Sequence, residues 1–388
     1  MFEIQLPRSK SLVIRYLILN YLYYNQVLNI QDDDAEDVKT VHQALKNIKN
    51  RSIYETDPTV LDIKDCGAGY RFLMAMLSVV DGKWFLTGTD SVLQRPIDPL
   101  MHALRRIGAE IEQTEKGWLI NGNSELSAYS MVIDCTQSSQ FASALWLIAQ
   151  KLGSPAIQIT PATFASESYL EITKQVWGNF FLDGVPQKIE GDWSAAVYWY
   201  AYVLLNPGKK ITLKNLQYPS IQNDAKIVEW FAAWGVETHR LEQGVEIINP
   251  VKKEINPLSI SLKNNLDLAP VLAVLSVLYP FELTLEDIDN LDFKESKRGT
   301  HLVQTLMQFT EIQTITHPDT GQIHTIKILK RTTPLPNLLT FDSFNDHRMV
   351  MAFHLFSCFT NITIQNSNVV KKSYPFFFSQ IQLTLKNK

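Results

Sequence analysis

Six times along this chain, a few small or polar residues give way to an almost wholly apolar run long enough for a helix. The runs are SKSLVIRYLILNYL from Ser9, GAGYRFLMAMLSVV from Gly67, SSQFASALWLIAQ from Ser138, DWSAAVYWYAYVLL from Asp192, LDLAPVLAVLSVLY from Leu266 and NDHRMVMAFHLFSCF from Asn345. A helix that is apolar on every side has no face to offer water and must be buried. Ser, Asp and Asn at the openings read as N-caps. A second, amphipathic kind of helix alternates with the first: EDVKTVHQALKNI from Glu36, DPLMHALRRIGAEI from Asp98, YLEITKQVWGNFFLDG from Tyr169, DAKIVEWFAAWGVET from Asp224 and ESKRGTHLVQTLMQF from Glu295. SYPFFFSQIQLTLK from Ser373 matches it less well, and strand-like runs such as KWFLTG, AIQITP, KKITLKN, FELTLED and NITIQN lie between. Any α/β protein alternates helices with strands. The ordered alternation of buried and amphipathic helices argues for true repetition, with about six copies of strand, buried helix, strand, amphipathic helix, strand. At 388 residues one core is not expected. A boundary near Gly191 divides the copies three and three: 9–190 forms one domain, and 1–8 with 191–388 the other, the first strand crossing back.

Hydrophobic residues make up 45% of the chain and charged residues 20%, a globular composition. With 36 Lys and Arg against 40 Asp and Glu the net charge is −4, which lacks the basic excess of a nucleic-acid binder. Taken alone, it also speaks against a strongly anionic small ligand, although net charge does not set a local field. Cys66, Cys135 and Cys358 stand far apart without C-x-x-C spacing, which suggests a reducing compartment and no disulfide framework. MFEIQLPRSK lacks the pattern of a signal peptide, and the uncharged stretch Leu268–Phe281 is too short to span a bilayer. The expectation is a cytoplasmic, soluble monomer without membrane or nucleic-acid partners. No H-E-x-x-H or Cys/His cluster occurs, and no G-x-S-x-G nucleophile elbow, so no metal, flavin or nicotinamide is expected.

The chemically suggestive residues concentrate where the buried helices open. Lys10, Ser11 and Arg15 lie on the first, Gly67, Gly69 and Arg71 on the second, and Ser138, Ser139 and Gln140 on the third. Asp267 opens the fifth, and Asp346, His347 and Arg348 the sixth. Helix N-termini carry unpaired N–H groups and partial positive charge, so several of them with added Lys and Arg suit phosphate or carboxylate ligands. Singly, S-K-S reads most simply as a cap with a surface Lys. G-A-G before Arg is a weak Gly-loop signal, and its lack of both G-x-G-x-x-G and a G-K-S/T ending excludes a nucleotide site. S-S-Q-F is similarly weak alone. N-D-H-R is more telling, because four polar side chains at the head of an apolar helix are costly to bury without purpose, and its alternative reading is a structural cap with a satisfied His. Asp267 beside a wholly apolar helix reads as a simple N-cap or, if buried, as a carboxyl whose pKa is expected to rise and fit it for proton exchange.

Eight short patterns occur in order: P-x-S-K-S-x-x-x-R (Pro7 to Arg15), G-x-x-x-R (Gly67 to Arg71), Q-R-P-I (Gln94 to Ile97), S-S-Q-F (Ser138 to Phe141), G-D-x-S-x-A (Gly191 to Ala196), K-E-S-K-R (Lys294 to Arg298), N-D-H-R-M (Asn345 to Met349) and K-S-Y-P (Lys372 to Pro375). Together they resemble the family of 3-phosphoshikimate 1-carboxyvinyltransferases, also called EPSP synthases, nearly end to end. The resemblance implies an α/β enolpyruvyltransferase-type fold of two domains, each of three βαβαββ units with buried parallel helices. It implies transfer of the enolpyruvyl group from phosphoenolpyruvate to the 5-hydroxyl of shikimate 3-phosphate, in the shikimate pathway of aromatic amino acid biosynthesis. Addition would give a tetrahedral ketal phosphate and elimination would release phosphate, with no metal or organic cofactor.

Carried over by motif, Lys10, Ser11 and Arg15 would hold the shikimate ring and its carboxylate. Ser138, Ser139 and Ser166 would receive the 3-phosphate, with Tyr169 and Gln140 nearby. Asp267 would take the 5-hydroxyl proton, with Asn290 and Lys294 close to the same substrate. Gly67, Lys10, Arg95, Gln140, Arg298, Arg348 and Lys372 would surround phosphoenolpyruvate. Glu295 would exchange a proton at its methylene carbon, and Lys10 and Lys372 would join the two carboxylates as catalytic groups.

The pattern also departs from the family. Asp65-Cys66-Gly67-Ala68 stands where Asn-x-Gly-Thr is usual, Phe72 where Pro is usual, and Ser296-Lys297-Arg298 where Thr-Asp-Arg is usual. An Asp beside phosphoenolpyruvate adds repulsion unless protonated or turned away, and Ala68 removes a hydroxyl; with Asp65, Ala68 and Phe72 all departing, glyphosate, which occupies that site, is expected to inhibit weakly. Two alternatives stand beside this reading. One is the UDP-N-acetylglucosamine enolpyruvyltransferase of the same fold, which needs a Cys or Asp on a mobile loop. The other is a ligand-binding homologue without turnover.

Overall fold

The computed structural model describes residues 2–52, 54–153, 156–160, 166–251 and 253–385. The chain divides into two compact units, Lys10–Ile189 and Met1–Ser9 with Glu190–Lys388.

In the unit Lys10–Ile189, the apolar helices Lys10–Tyr24, Gly67–Ser78 and Gln140–Ile148 pack on one another. Every side chain from Leu12 to Leu22 is buried, Arg15 and Asn20 among them. A four-stranded sheet runs in the order Thr59–Asp62, Gly82–Thr87, Gly117–Gly122, Glu110–Thr114. Its first pair is parallel and the other two are antiparallel. A parallel pair needs a crossover, and the buried helix Gly67–Ser78 supplies it. The strands Ser130–Asp134 and Ala156–Thr160 pair in parallel around Gln140–Ile148 in the same way. The helices Glu36–Lys49, Asp98–Arg106 and Glu167–Asp183 each combine buried residues with exposed ones, as their amphipathic spacing requires.

The unit Met1–Ser9 with Glu190–Lys388 repeats the plan. The helix Ala269–Leu278 packs against both Trp193–Leu205 and His347–His354. All residues of Trp193–Leu205 are buried, so its polar atoms need partners: Trp199 Nε1 donates to the Tyr374 hydroxyl at 3.0 Å, and the Tyr200 hydroxyl lies 3.0 Å from Thr238 Oγ1. One sheet runs Phe2–Gln5, Lys210–Lys214, Gly244–Ile248, Glu237–Leu241, and a second Leu258–Ser261, Leu283–Glu286, Ile323–Ile328, Ile312–Thr316. Leu338–Asp342 and Asn361–Gln365 form a parallel pair. Phe2–Gln5 lies parallel to Lys210–Lys214, Phe2 opposite Ile211 and Gln5 opposite Lys214, and Arg8 bridges Gly191. The first strand of the chain therefore completes a repeat whose buried helix begins at Trp193.

The copies are not equal. Among the described residues three have the four-stranded sheet, and two have a parallel pair alone. The copy with helices Lys10–Tyr24 and Glu36–Lys49 has no strand between them. Its connection carries Asp32, Asp33 and Asp34 in succession, a composition that strands disfavour. Among the described residues no helix is long and apolar enough to cross a membrane.

Candidate active site

In the unit containing Glu190–Lys388, the heads of two buried helices and the segment Lys294–Arg298 build one ionic cluster. Arg298 is completely buried. Its Nη1 reaches Asp267 Oδ1 at 2.8 Å, its Nη2 reaches Glu295 Oε2 at 2.5 Å, and its Nε reaches Asp346 Oδ2 at 2.8 Å. Asp346 also accepts from the backbone N–H of Arg348 at 2.9 Å, capping His347–His354. Arg348 Nη2 reaches the other oxygen of Asp267 at 2.8 Å, and Lys294 Nζ stands 3.5 Å from the first. Lys372 Nζ lies 4.0 Å from Glu295 Oε1. Asn290 sits half-buried at the head of the turn Leu291–Phe293, just before Lys294.

This cluster reverses the expected pKa of Asp267. Burial does press it upward, but Arg348, Lys294 and Arg298 outweigh burial and hold the carboxyl well below its ordinary value. For Arg298, burial disfavours the charge, and Asp346, Glu295 and Asp267 overcome that penalty and raise its pKa. A carboxylate held so firmly ionised is a weak base. An anionic ligand that draws Arg348 or Lys294 away would strengthen it. Arg298, expected at phosphoenolpyruvate, spends Nε, both N–H groups of Nη2 and one of Nη1 on protein carboxylates.

A residue that the motifs did not single out sits behind the cluster. Asp224 is buried, accepts from Ser194 Oγ, and accepts from Asn265 Nδ2 at 2.8 Å. Burial, with Asp267 nearby, pushes its carboxyl up to about 6. Its one sequence signal was its place at the start of an amphipathic run, which reads as a helix cap. Between about pH 4 and pH 6 the folded chain keeps a proton on Asp224 that the unfolded chain has lost. That contribution to stability is full below about pH 4 and disappears as pH rises through 6, a change of ~3 kcal/mol. Asp224→Asn mimics the neutral form. In the urea transition of the unit that holds Asp224, the stability of the variant relative to the native chain is expected to rise by about that amount from pH 4 to pH 7, and a difference independent of pH would exclude titration of Asp224 in this range.

In the unit Lys10–Ile189, Lys10 Nζ pairs with Asp37 Oδ2 at 3.0 Å. Arg15 is buried. Its Nε donates to Thr173 Oγ1 at 2.7 Å, Nη1 to the Ser11 carbonyl at 2.6 Å and Nη2 to the Tyr169 carbonyl at 3.0 Å. These bonds tie Lys10–Tyr24 to Glu167–Asp183 and leave one N–H on each terminal nitrogen for a ligand. Burial lowers its pKa to about 10, still charged at neutral pH. Arg71 works similarly: Nε and Nη2 donate to the Pro96 carbonyl at 3.2 and 3.0 Å, and Nη1 holds Gln140 Oε1 at 2.8 Å. Arg71 thus orients Gln140. Ser138 Oγ accepts from the Gln140 N–H at 3.3 Å, and Ser139 is buried. Ser166 is buried at the head of Glu167–Asp183 with a left-handed φ of 62°, an unusual backbone for a residue other than glycine.

Arg95 is 9% exposed and lies against the head of Gly67–Ser78. A Cβ at Gly67 would come within 2.5 Å of Arg95 Nη1, so only glycine leaves the guanidinium that position. Arg95 Nη2 pairs with Asp65 Oδ1 at 3.1 Å, while its Nε has no hydrogen-bond partner. Cys66 is buried, and its Sγ accepts from the Gly69 N–H at 3.2 Å. Among the described residues no group of His, Cys, Asp and Glu is arranged to hold a metal ion.

The fold is of the enolpyruvyl transferase class, as two solved structures show. The EPSP synthase from Acinetobacter baumannii superposes with a TM-score of 0.68 at 19% identity, over 98% of this chain and 95% of that one. The enolpyruvyl transferase NikO from Streptomyces tendae superposes at 0.67 with 12% identity, over 99% and 95%. Within this class the chain belongs to the family EPSP synthase (3-phosphoshikimate 1-carboxyvinyltransferase), whose sequence model matches residues 2–381. The 3-phosphoshikimate 1-carboxyvinyltransferase of Bacteroides fragilis is 29% identical over 98% of this chain and 94% of its own length. That of Pyrococcus abyssi is 26% identical over 99% and 95%.

Proposed function

We propose that the chain transfers the enolpyruvyl group of phosphoenolpyruvate to the 5-hydroxyl of shikimate 3-phosphate and releases inorganic phosphate, a step of aromatic amino acid biosynthesis. Membership of the family supports the reaction. The observation that carries it on the residues themselves is the pair of carboxylates, Asp267 and Glu295, held by one buried arginine among Lys294, Arg348 and Lys372.

The chemistry needs such a set. Asp267 removes the 5-hydroxyl proton as that oxygen bonds to the central carbon of phosphoenolpyruvate. A proton from Glu295, with Lys372 beside it, goes to the methylene carbon. The tetrahedral ketal phosphate then loses a proton from that carbon, the double bond re-forms, and phosphate leaves with the electron pair of its C–O bond. Arg95, Arg348, Arg298, Lys10 and Lys372, with Gly67 and Gln140, take the anionic groups of phosphoenolpyruvate. Lys10, Ser11, Arg15, Ser138, Ser139, Gln140, Ser166, Tyr169, Asn290 and Lys294 take those of shikimate 3-phosphate. Arg forks suit both carboxylate and phosphate. Lys10 pairs with Asp37 in one unit and Arg348 with Asp267 in the other, so each of these cations is compensated within its own unit. The chain acts as a cytoplasmic monomer in this reading.

Phosphate release measured with phosphoenolpyruvate and either shikimate 3-phosphate or UDP-N-acetylglucosamine tests it. Turnover is expected with shikimate 3-phosphate alone. Cys66 is 1% exposed and caps its own helix, which argues against the role that a loop cysteine plays in the UDP-sugar enzyme. Release with UDP-N-acetylglucosamine alone, or calorimetric binding of shikimate 3-phosphate without turnover, would overturn the proposal.

A further inference from the structure

The Arg95 site contains both the means to bind an anion and a protein group already bound there. The guanidinium is nine-tenths buried, and its Nε has no hydrogen-bond partner. Nη1 lies over Gly67, the first residue of a twelve-residue helix whose N-terminal N–H groups favour negative charge. These three features equip the position for a carboxylate or phosphate. Asp65 reaches the same guanidinium. The turn between Thr59–Asp62 and Gly67–Ser78 places it there: Lys64 takes a φ of 52°, and the Thr89 N–H donates to the Lys64 carbonyl at 2.8 Å. Thr89 Oγ1 stands 3.4 Å from the same Oδ1 that meets Arg95 Nη2 at 3.1 Å.

We propose that Asp65 is a specificity-determining residue for phosphoenolpyruvate, an internal carboxylate that holds Arg95 in place of the substrate's own and must yield when the substrate binds. The assignment rests on the reading above that Arg95 receives phosphoenolpyruvate. An incoming anion meets a guanidinium whose charge is partly neutralised, and it meets Asp65 as a like charge at short range. Both effects weaken affinity for a dianion or trianion more than they alter a bond-making step elsewhere. Asp65→Asn keeps the shape and removes the charge.

The test is the steady-state KM for phosphoenolpyruvate of the whole chain and its Asp65→Asn variant, beside the KM for shikimate 3-phosphate and kcat. Asp65→Asn is expected to lower the KM for phosphoenolpyruvate roughly tenfold, with smaller changes in the other two constants. In an Arg95→Ala background only the like-charge repulsion by Asp65 remains, so the same substitution is expected to lower that KM by clearly less than tenfold, and the shortfall measures the part that acts through the Arg95 contact. A purely structural role for Asp65 would instead change kcat and both KM values together. Titration calorimetry of phosphoenolpyruvate, with shikimate 3-phosphate present, reads the same preference without turnover. Equal or weaker binding by the Asp65→Asn protein overturns the assignment, even if the native chain is a good enzyme. Tighter binding by that variant with no phosphate release from either protein overturns the proposed reaction and leaves the assignment standing.

Discussion

Asp267→Asn is expected to lower kcat by at least ~100-fold while shikimate 3-phosphate still binds, the loss typical of a missing general base. The amide preserves shape and can still accept a hydrogen bond from Arg348 or Arg298, so the cluster need not collapse. It cannot take the 5-hydroxyl proton. Phosphate release under saturating substrates gives kcat, and calorimetry gives the affinity for shikimate 3-phosphate. Unchanged kcat would remove Asp267 from the mechanism, and loss of binding with unchanged kcat would make it a docking group only. The low pKa of Asp267 adds a second expectation. Its base strength is suppressed by Arg348, Lys294 and Arg298, and each substrate anion that engages one of them releases part of that suppression. The acid limb of kcat, which reports the substrate-bound state, is therefore expected at higher pH than the acid limb of kcat/KM.

Arg298→Met is expected to have the largest effect on folding. The substitution roughly preserves the length of the side chain and removes a completely buried charge that three carboxylates share. Asp267, Glu295 and Asp346 would face one another in a half-dry space with Lys294, Arg348 and Lys372 as their remaining compensation. Breaking a buried pair from one side costs about 3–5 kcal/mol. With two compact units in the chain, a single unfolding free energy is not assumed, and the readout is the urea midpoint of the transition reported by Trp193 and Trp199 in the affected unit. That midpoint is expected to fall steeply or the unit to fail to fold, and Arg298→Lys is expected to recover only part of it because one ammonium cannot make a three-way fork. An unchanged midpoint for Arg298→Met would mean that the carboxylates are compensated without Arg298.

The architecture was largely readable from the chain because its strongest signal is chemical rather than geometric. A run such as WSAAVYWYAYVLL has no tolerable solvated state, so it must be a core helix, and its alternation with amphipathic runs orders the rest. The reading was less accurate at element ends. The helix opened by Leu266 begins at Ala269 after a short turn, and the one opened by Ser138 begins at Gln140, because caps and first turns depend on single side-chain bonds. Among the described residues no strand joins the helices of the first copy, and the three successive aspartates between them are the available warning.

The site divides differently. Residue types at helix heads were legible: a lysine, an arginine or a carboxylate there announces an anion or a proton transfer wherever the helix lies. Their partners were not. Asp224 reads as an ordinary cap until Ser194 and Asn265 close around it, and Asp65 reads as an isolated departure until Arg95 is found 3.1 Å away. By itself the sequence determined which segments must be buried, how they repeat and which charged groups stand at their heads, because burial and periodicity are properties of residues in order along a chain. Only the tertiary structure decided whether those charges are free or already answered. Coulomb energies depend on distances and on solvent exclusion between residues tens to hundreds of positions apart, and this is why Asp267, expected to be raised by burial, is held low by three cations that meet it only in the fold.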